Sequence, residues 1–588
     1  MTQAPIPTTT AIRRVLQIAP ALRRGLPVTV VLTVIGTSLQ LVVPVVIQRV
    51  VDQDLFAPGG VDLAGVLEKG AVALAAMVVA AFSQRMALYR LGRAAATGLA
   101  DLRVRTFAHL HRLSSLHVQS EQRGALVARV TSDIARIQDF MDWGGIGMLV
   151  GSAQVLLAIT AMLLYEWRLA LMVVGAVAFY ALLLVWFQRI LARAHDRVRQ
   201  TVADSLSAMG ESISGLEAVR AYGAEGPTMN KVRGALDTQF SAEFRTSKLG
   251  SFLFSSAEVF AGLITAGVIA GGVLLGQDGG ITAGTLLALL FLVNLLVQPV
   301  QTLVETLDIA QAAAAGVRRV LQVLDTPVDL ADPVDGVDLP DDRLDVGFVG
   351  VGFRYPGGEQ ALRNVDLHVP AGCRVAVVGE TGSGKTTFAK LVARLLDPTD
   401  GRVEVGNIDV RRVRFASLRN RVAYVPQEGF LFDTTVAENV RYGRPGVPDD
   451  ALRLAFADLG LTDWLDSLPN GLATPVGERG SQLSAGERQL VALVRAWMVD
   501  PDLLVLDEAT SAVDPALDVQ LRRAMGRLIA GRTSITVAHR LSTAEASDLV
   551  LVFDRGELVE RGSHADLVER DGVYAHLHAD WAAGTRMG

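Results

Sequence analysis

Arg374-Val375-Ala376-Val377-Val378-Gly379-Glu380-Thr381-Gly382-Ser383-Gly384-Lys385-Thr386-Thr387 is the stretch on which the reading turns. A short buried-strand pattern, Arg374 to Val378, runs straight into a glycine-rich loop, and a helical stretch, Phe388–Leu396, follows. Strand, loop and helix in that order complete the phosphate-loop pattern. The glycines let backbone N–H groups close around phosphate oxygens, and the helix N-terminus adds a favourable dipole. Lys385 supplies a point charge for the β- and γ-phosphates of ATP, and Thr386 a hydroxyl for Mg²⁺. The expected nucleotide site takes in Gly379, Glu380, Thr381, Gly382, Ser383, Gly384, Lys385, Thr386 and Thr387.

Further along, the apolar strand Leu503-Leu504-Val505-Leu506 ends in Asp507-Glu508. A carboxylate at a strand end beside a phosphate loop is where Mg²⁺ is held, and Asp507 takes that role. Glu508 points differently and is placed to orient, or accept a proton from, the water that attacks the γ-phosphate. An acidic pair after a strand is a weak signal alone; in this company it is a strong one.

The other half of the chain is of a different character. Half of the 588 residues are hydrophobic and only 20% are charged, less than a soluble globular chain carries. The net charge of −6 gives no sign of a nucleic-acid partner. A single cysteine, Cys373, excludes an internal disulfide and reads as a small residue in a strand. Long apolar runs fill the chain before residue 325, and an α/β mixture follows.

A helix crosses a bilayer with about 20 apolar residues. Six such segments are expected, at about 25–48, 68–90, 143–165, 168–190, 250–277 and 279–305, making residues 25–324 a transmembrane domain. Segments 85–136 and 189–248 are rich in arginine, and the opposite connections are short and poor in positive charge. Both termini are therefore expected in the cytoplasm, with the chain multi-pass in the plasma membrane. The two arginine-rich segments are too long for loops and carry helical periodicity, so they read as helices continuing far out of the membrane. Residues 1–24, with Arg13, Arg14, Arg23 and Arg24, read as an amphipathic elbow helix on the membrane face. The linker at 325–342 is rich in Asp and Pro, and a nucleotide-binding domain occupies 343–588.

Polar residues inside the spans need partners. Gln40, Gln154, Asn294 and Gln298 are expected to bond between helices. Glu258 faces a substrate cavity or pairs with an arginine near the inner surface. Pro44 and Pro299 are expected to kink their helices.

Between the phosphate loop and Asp507 lies Leu483-Ser484-Ala485-Gly486-Glu487-Arg488-Gln489. Here the chain resembles the ATP-binding cassette family, whose signature reads Leu-Ser-Gly-Gly-Gln. The resemblance covers essentially the whole chain, and the six spans with long helical extensions resemble the exporter-type half-transporters. It implies that Tyr355 in Phe353-Arg354-Tyr355-Pro356 stacks on adenine. Gln427 in Val425-Pro426-Gln427 would touch Mg²⁺ or water and meet the membrane domain. Asp514 would belong to a loop crossing between partners, and His539 would contact the γ-phosphate. Thr474–Gly480 resembles the short loop that precedes the signature in exporters.

The resemblance also implies a dimer, in which the signature of one subunit (Ser484, Gly486 and Glu487) covers ATP held by the other. The chain departs from the pattern at Ala485 and Glu487; the latter brings a negative charge to the nucleotide edge unless its side chain points away. Gly215–Glu225 resembles the second coupling region, which docks on a partner's cassette. Leu116–Asp133 resembles the first, with Leu116-His117-Val118-Gln119 in place of the usual aromatic pair and acid.

The expected function is ATP-driven alternating-access export of a hydrophobic or amphipathic substrate: a drug, lipid or peptide. The partner is a second half-transporter, identical or different. The rival readings are an importer on the same fold, as for siderophores, and an ATP-gated channel or regulatory subunit.

Overall fold

The structure, a computed structural model, describes residues 14, 20, 25–55, 61–114, 116, 123–276, 281–507, 514–538 and 541–586. The expected elbow helix therefore lies almost wholly outside the described residues, as do Glu508 and His539. The chain forms two compact units: residues 1–110 with 124–326, and residues 111–123 with 327–588.

Among the described residues of the first unit six helices are long and apolar enough to cross a membrane: Leu26–Leu55, Leu63–Leu110, Ala128–Tyr165, Trp167–Ser214, Glu225–Gly276 and Ala283–Asp325. Four of them run 48, 48, 52 and 43 residues, more than twice what a bilayer needs. On the second span the bulky side chains Leu67, Leu74, Phe82 and Tyr89 face outward while Ala80, Ser83 and Ala87 are buried. A solvent as apolar as leucine removes the reason to hide large side chains, so small residues mediate close helix approach instead. Gly36 illustrates this: a Cβ there would lie 3.0 Å from Gln84 Cγ and 3.2 Å from the Ala80 carbonyl.

The buried hydroxyls of Thr29, Thr33 and Thr37 each donate to the carbonyl one turn back, which satisfies them without a second helix. Asn294 does the same, donating to the Leu290 carbonyl at 3.0 Å, so it does not bridge helices as expected. One bridge between spans is instead Gln48, which donates to the Thr285 hydroxyl at 3.1 Å. Glu258 is exposed on the fifth span and makes no ion pair among the described residues. The first span breaks at Leu41, three residues before Pro44, where the ring leaves no N–H to continue the ladder. The sixth helix is assigned unbroken through Pro299. Its start is capped by Asp52, which accepts from the Thr282 hydroxyl and the Gly284 N–H.

The second unit is built on two sheets. β1 (Val346–Arg354), β2 (Gln360–Val369), β4 (Asp400–Val405) and β5 (Ile408–Asp409) form an antiparallel sheet in the order β2-β1-β4-β5. The larger sheet contains β3 (Arg374–Gly379), β6 (Val422–Val425), β7 (Leu503–Asp507), β8 (Thr533–Val537), β9 (Leu549–Asp554) and β10 (Glu557–Gly562), ordered β10-β9-β3-β8-β7-β6. The five strands from β9 to β6 are parallel, and β10, at the other edge, runs back. Every residue of β7 and β8 is buried. β7 accordingly reads as an apolar run, Leu503 to Leu506, with no alternation, whereas β8 buries the hydroxyl side chains Thr533, Ser534 and Thr536 beside Ile535 and Val537. Phe348 stacks on Phe388 at 4.4 Å and thereby ties the small sheet to the helix after β3.

A helical layer holds Phe456, Trp464, Leu490, Leu493 and Val494 in a core of its own with Leu504 and Leu506 of β7. Cys373 sits immediately before β3, not within a strand, and is half-buried.

Candidate functional site

The open end of a parallel sheet, at the carboxyl ends of its strands, is where such folds bind ligands. β3 ends there in the phosphate loop. Gly384, at φ 104°, caps the helix Lys385–Val392 with no side chain over the first N–H groups, leaving them to an anion. A Cβ on Gly384 would stand 2.5 Å from the Ala361 carbonyl, and one on Gly379 would strike the Phe553 carbonyl, so both glycines are required by space as well as by conformation. The Lys385 ammonium donates to the carbonyls of Gly379, at 2.8 Å, and Glu380, at 2.7 Å, closing the loop on itself. Burial pulls its pKa below the ordinary lysine value against the opposing pull of Asp507 and Glu380. A buried ammonium held on two carbonyls gains from an anion. The Ser383 hydroxyl oxygen is buried there with no partner among the described residues, as expected of a loop shaped for a ligand.

β7 ends two strands away, with β8 between, and brings Asp507 to the same end. Its carboxylate is buried; Oδ1 lies 3.5 Å from the Thr386 hydroxyl and Oδ2 accepts from the Tyr424 hydroxyl at 3.2 Å. A hydroxyl and a carboxylate oxygen converging at that distance fit the inner ligand set of Mg²⁺. Tyr424 is a site residue that the sequence reading missed. Burial raises its phenol pKa first and Asp507 raises it further, so it is a neutral donor that fixes the carboxylate. Its signal was its place at the end of β6, beside the Pro426-Gln427 turn.

Tyr355 is half-buried at the edge of the loop, its hydroxyl 3.0 Å from that of Thr387 and its ring edge-on to Phe353. The ring is pinned at both ends. Gln427 is exposed, and its backbone carbonyl accepts from the side-chain amide of Gln489 in the signature segment at 3.2 Å. Asp514 caps the helix Pro515–Ile529 by accepting from the Ala516 N–H.

Ser484 is the N-cap of the helix Ala485–Val499 and shares a capping box with Glu487. Its oxygen accepts from the Glu487 N–H, so its own proton remains free to donate. The Glu487 carboxylate accepts from the Ser484 N–H at 2.8 Å and from the Trp464 indole N–H at 3.2 Å. It is turned back on its own helix. Burial pushes its pKa up, yet the Ser484 and Trp464 hydrogen bonds outweigh this and hold it below the ordinary glutamate value. Two N–H donors suit a carboxylate better than an amide, which offers one oxygen. Ala485 is exposed, so its methyl meets no crowding within this chain.

Of the remaining expectations, Thr474–Gly480 is anchored by Val436 and Thr434 backbone bonds and carries Glu478 and Arg479 exposed. The helix Leu216–Ala221 has no buried residue, and Tyr222 beside it is 87% exposed. Leu116 packs against the sheet core of the second unit, and Asp133 is held by Arg319 at 2.6 and 2.7 Å.

The family model for the ABC transporter transmembrane region matches residues 26–300, and the model for the ABC transporter matches residues 362–511. The ATP-dependent lipid A-core flippase of Desulfotalea psychrophila is 31% identical over 85% of this chain and 88% of its own length. The fatty acid ABC transporter ATP-binding/permease protein of Mycobacterium tuberculosis is 34% identical over 88% of this chain and 82% of its own. Among solved structures, a bacterial Atm1-family ABC exporter with ATP bound superposes with a TM-score of 0.77 at 28% identity, covering 95% of this chain and 98% of that one.

Proposed function

This chain belongs to the ABC transporters, with membrane-spanning region and cassette fused in one polypeptide, and we propose that it is one half of a dimeric, ATP-driven exporter. The single observation that carries the reading is a phosphate-binding loop, Tyr355 and Asp507 gathered at one end of the large sheet, with a second set of donors, Ser484 and the exposed start of its helix, elsewhere on the same unit. In this reading the partner supplies that second set in trans.

In this reading Lys385 and the N–H groups at the start of the helix Lys385–Val392 hold the β- and γ-phosphates of ATP, and the pinned ring of Tyr355 stacks on the adenine. Thr386, Asp507 and Gln427 would hold Mg²⁺, which would supply positive charge against the phosphate oxygens. Glu508 orients the attacking water and accepts its proton, and His539 steadies the γ-phosphate. The Ser484 hydroxyl of the facing subunit donates to that phosphate, so ATP draws two cassettes together. ATP favours the closed pair through this added contact and thereby shifts the transporter between states.

The long helices carry that closure to the membrane, and the exposed turn at Leu216–Tyr222 is the docking point for the partner's cassette. The cassettes lie in the cytoplasm beneath the plasma membrane. The relatives named for lipid A-core and fatty acid favour an amphipathic, lipid-like cargo.

The test is the Glu508→Gln variant. It should retain ATP binding, trap the nucleotide and the closed dimer, and abolish turnover. Near-normal turnover would refute the assignment. ATPase activity in lipid that requires a pair of chains and is stimulated by lipid-like compounds supports export; ion conductance without stimulation by any compound would favour a channel.

A further inference from the structure

Beyond the nucleotide site, the end of the second unit gathers three metal-ligating side chains from three helices. Glu545 closes the helix Leu541–Glu545, which follows His539 closely in sequence. His564 opens the helix His564–Glu569, and His578 lies in Val573–Arg586. One ligand atom from each lies within 4.8 Å of the others. In a tetrahedral zinc site the ligand atoms stand about 3.3 Å apart, as metal–ligand bonds of about 2.0 Å require. Small rotations close the difference, because Glu545 is exposed and the two histidines only half-buried.

His578 Nε2 and Glu545 Oε1 are 3.7 Å apart, too far for a hydrogen bond between them. The His564 and His578 rings lie 5.2 Å apart at 47°, so they do not stack flat on one another.

A second observation marks His564 as built for ligation. Its Nδ1 is 2.7 Å from the hydroxyl of Tyr574, a fully buried residue in the core with Ala376, Val378, Val550 and Val552. Metal-bound histidines characteristically donate from their other ring nitrogen, which holds the ring in orientation, and the Tyr574 hydroxyl oxygen can accept from Nδ1–H. Nε2 is then the nitrogen left for a ligand. Tyr574 and His578 are one helical turn apart, so the anchor and the second imidazole share a face.

We propose that Glu545, His564 and His578 bind a divalent transition-metal ion, Zn²⁺ foremost, through one carboxylate oxygen and two imidazole nitrogens. Two nitrogen donors favour Zn²⁺ over the oxygen-seeking Mg²⁺ and Ca²⁺, and water completes the fourth position. The ion pins the helix Leu541–Glu545 to the two C-terminal helices.

The test uses the full-length transporter in detergent, stripped of metal by a chelator and kept in excess Mg²⁺ so that the nucleotide site takes no part. After equilibration with Zn²⁺ and desalting, zinc is counted by mass spectrometry, and Co²⁺ serves separately as a visible-absorption probe. About one zinc per chain is expected. His578→Gln and Glu545→Gln should weaken binding at least about ten-fold, and Tyr574→Phe, which touches no metal, should weaken it by a comparable factor. The His576→Gln control, on an exposed neighbour outside the cluster, should leave binding unchanged. Zinc retention by His578→Gln equal to that of the wild-type chain overturns the proposal, as does a wild-type chain that takes up no zinc and shows no cobalt spectrum. If His564→Gln fails to fold, the surface variants and the wild-type cobalt spectrum still decide.

Discussion

Replacing Tyr424 by Phe removes one hydroxyl and keeps the ring that packs at the end of β6. Asp507 is left with an Oδ2 that no longer accepts from the hydroxyl 3.2 Å away. A hydrogen bond to a charged acceptor contributes about 1.5–3 kcal/mol. At 3.2 Å it is longer than the 2.5–2.7 Å of the strongest hydroxyl–carboxylate bonds, which places it near the lower end. About 1.5 kcal/mol corresponds to roughly a ten-fold loss, and the same factor is typical when a group that orients a metal ligand is removed. The expected result in an ATPase assay on the reconstituted transporter is a roughly ten-fold lower kcat/KM for ATP at low Mg²⁺. Partial recovery is expected as Mg²⁺ is raised, because the carboxylate still binds but is less well aimed. Asp507→Asn should lose far more and recover nothing. A Phe variant within two-fold of wild type across all Mg²⁺ concentrations would show that Tyr424 merely packs.

Glu487→Ala removes half of a capping box and should lower the thermal stability of the second unit by about 1 kcal/mol, measured by scanning calorimetry. Glu487→Gln, which restores the family's residue, should keep the Ser484 bond, lose part of the Trp464 bond and change ATPase activity by less than about three-fold. The pKa of Glu487 is depressed in the folded chain, so its stabilisation is complete above the ordinary glutamate value of about 4.3 and fades as pH falls through the lower folded value; Glu487→Ala should abolish that component. Tyr222→Ala, at an 87% exposed position, should leave folding and nucleotide binding intact while reducing cargo-stimulated ATPase activity and transport several-fold. Gly36→Leu should force the first two spans apart, since even a Cβ there lies 3.0 Å from Gln84, and should lower the melting temperature in detergent by several degrees.

The sequence alone determined a good deal, and for identifiable reasons. Six apolar runs are legible because a bilayer demands length and composition, both of which are local properties. The phosphate loop is legible because its glycines, Lys385 and Thr386 act through backbone within one turn, so their spacing in sequence is their spacing in space. Tertiary structure decided whatever depends on partners distant along the chain. Asn294 read as a bridge between helices, yet its carbonyl acceptor was one turn away. Glu487 read as a charge at the nucleotide edge unless its side chain pointed away, and only the approach of Trp464 from a separate helix shows where the carboxylate goes. Tyr424 carried no motif, because its importance arises from parallel pairing of β6 with β7, which sets it beside Asp507. The Glu545, His564 and His578 cluster was invisible for the same reason: hydrogen bonds and metal ligation act over a few ångströms, and only the packing of three helices brings those side chains that close.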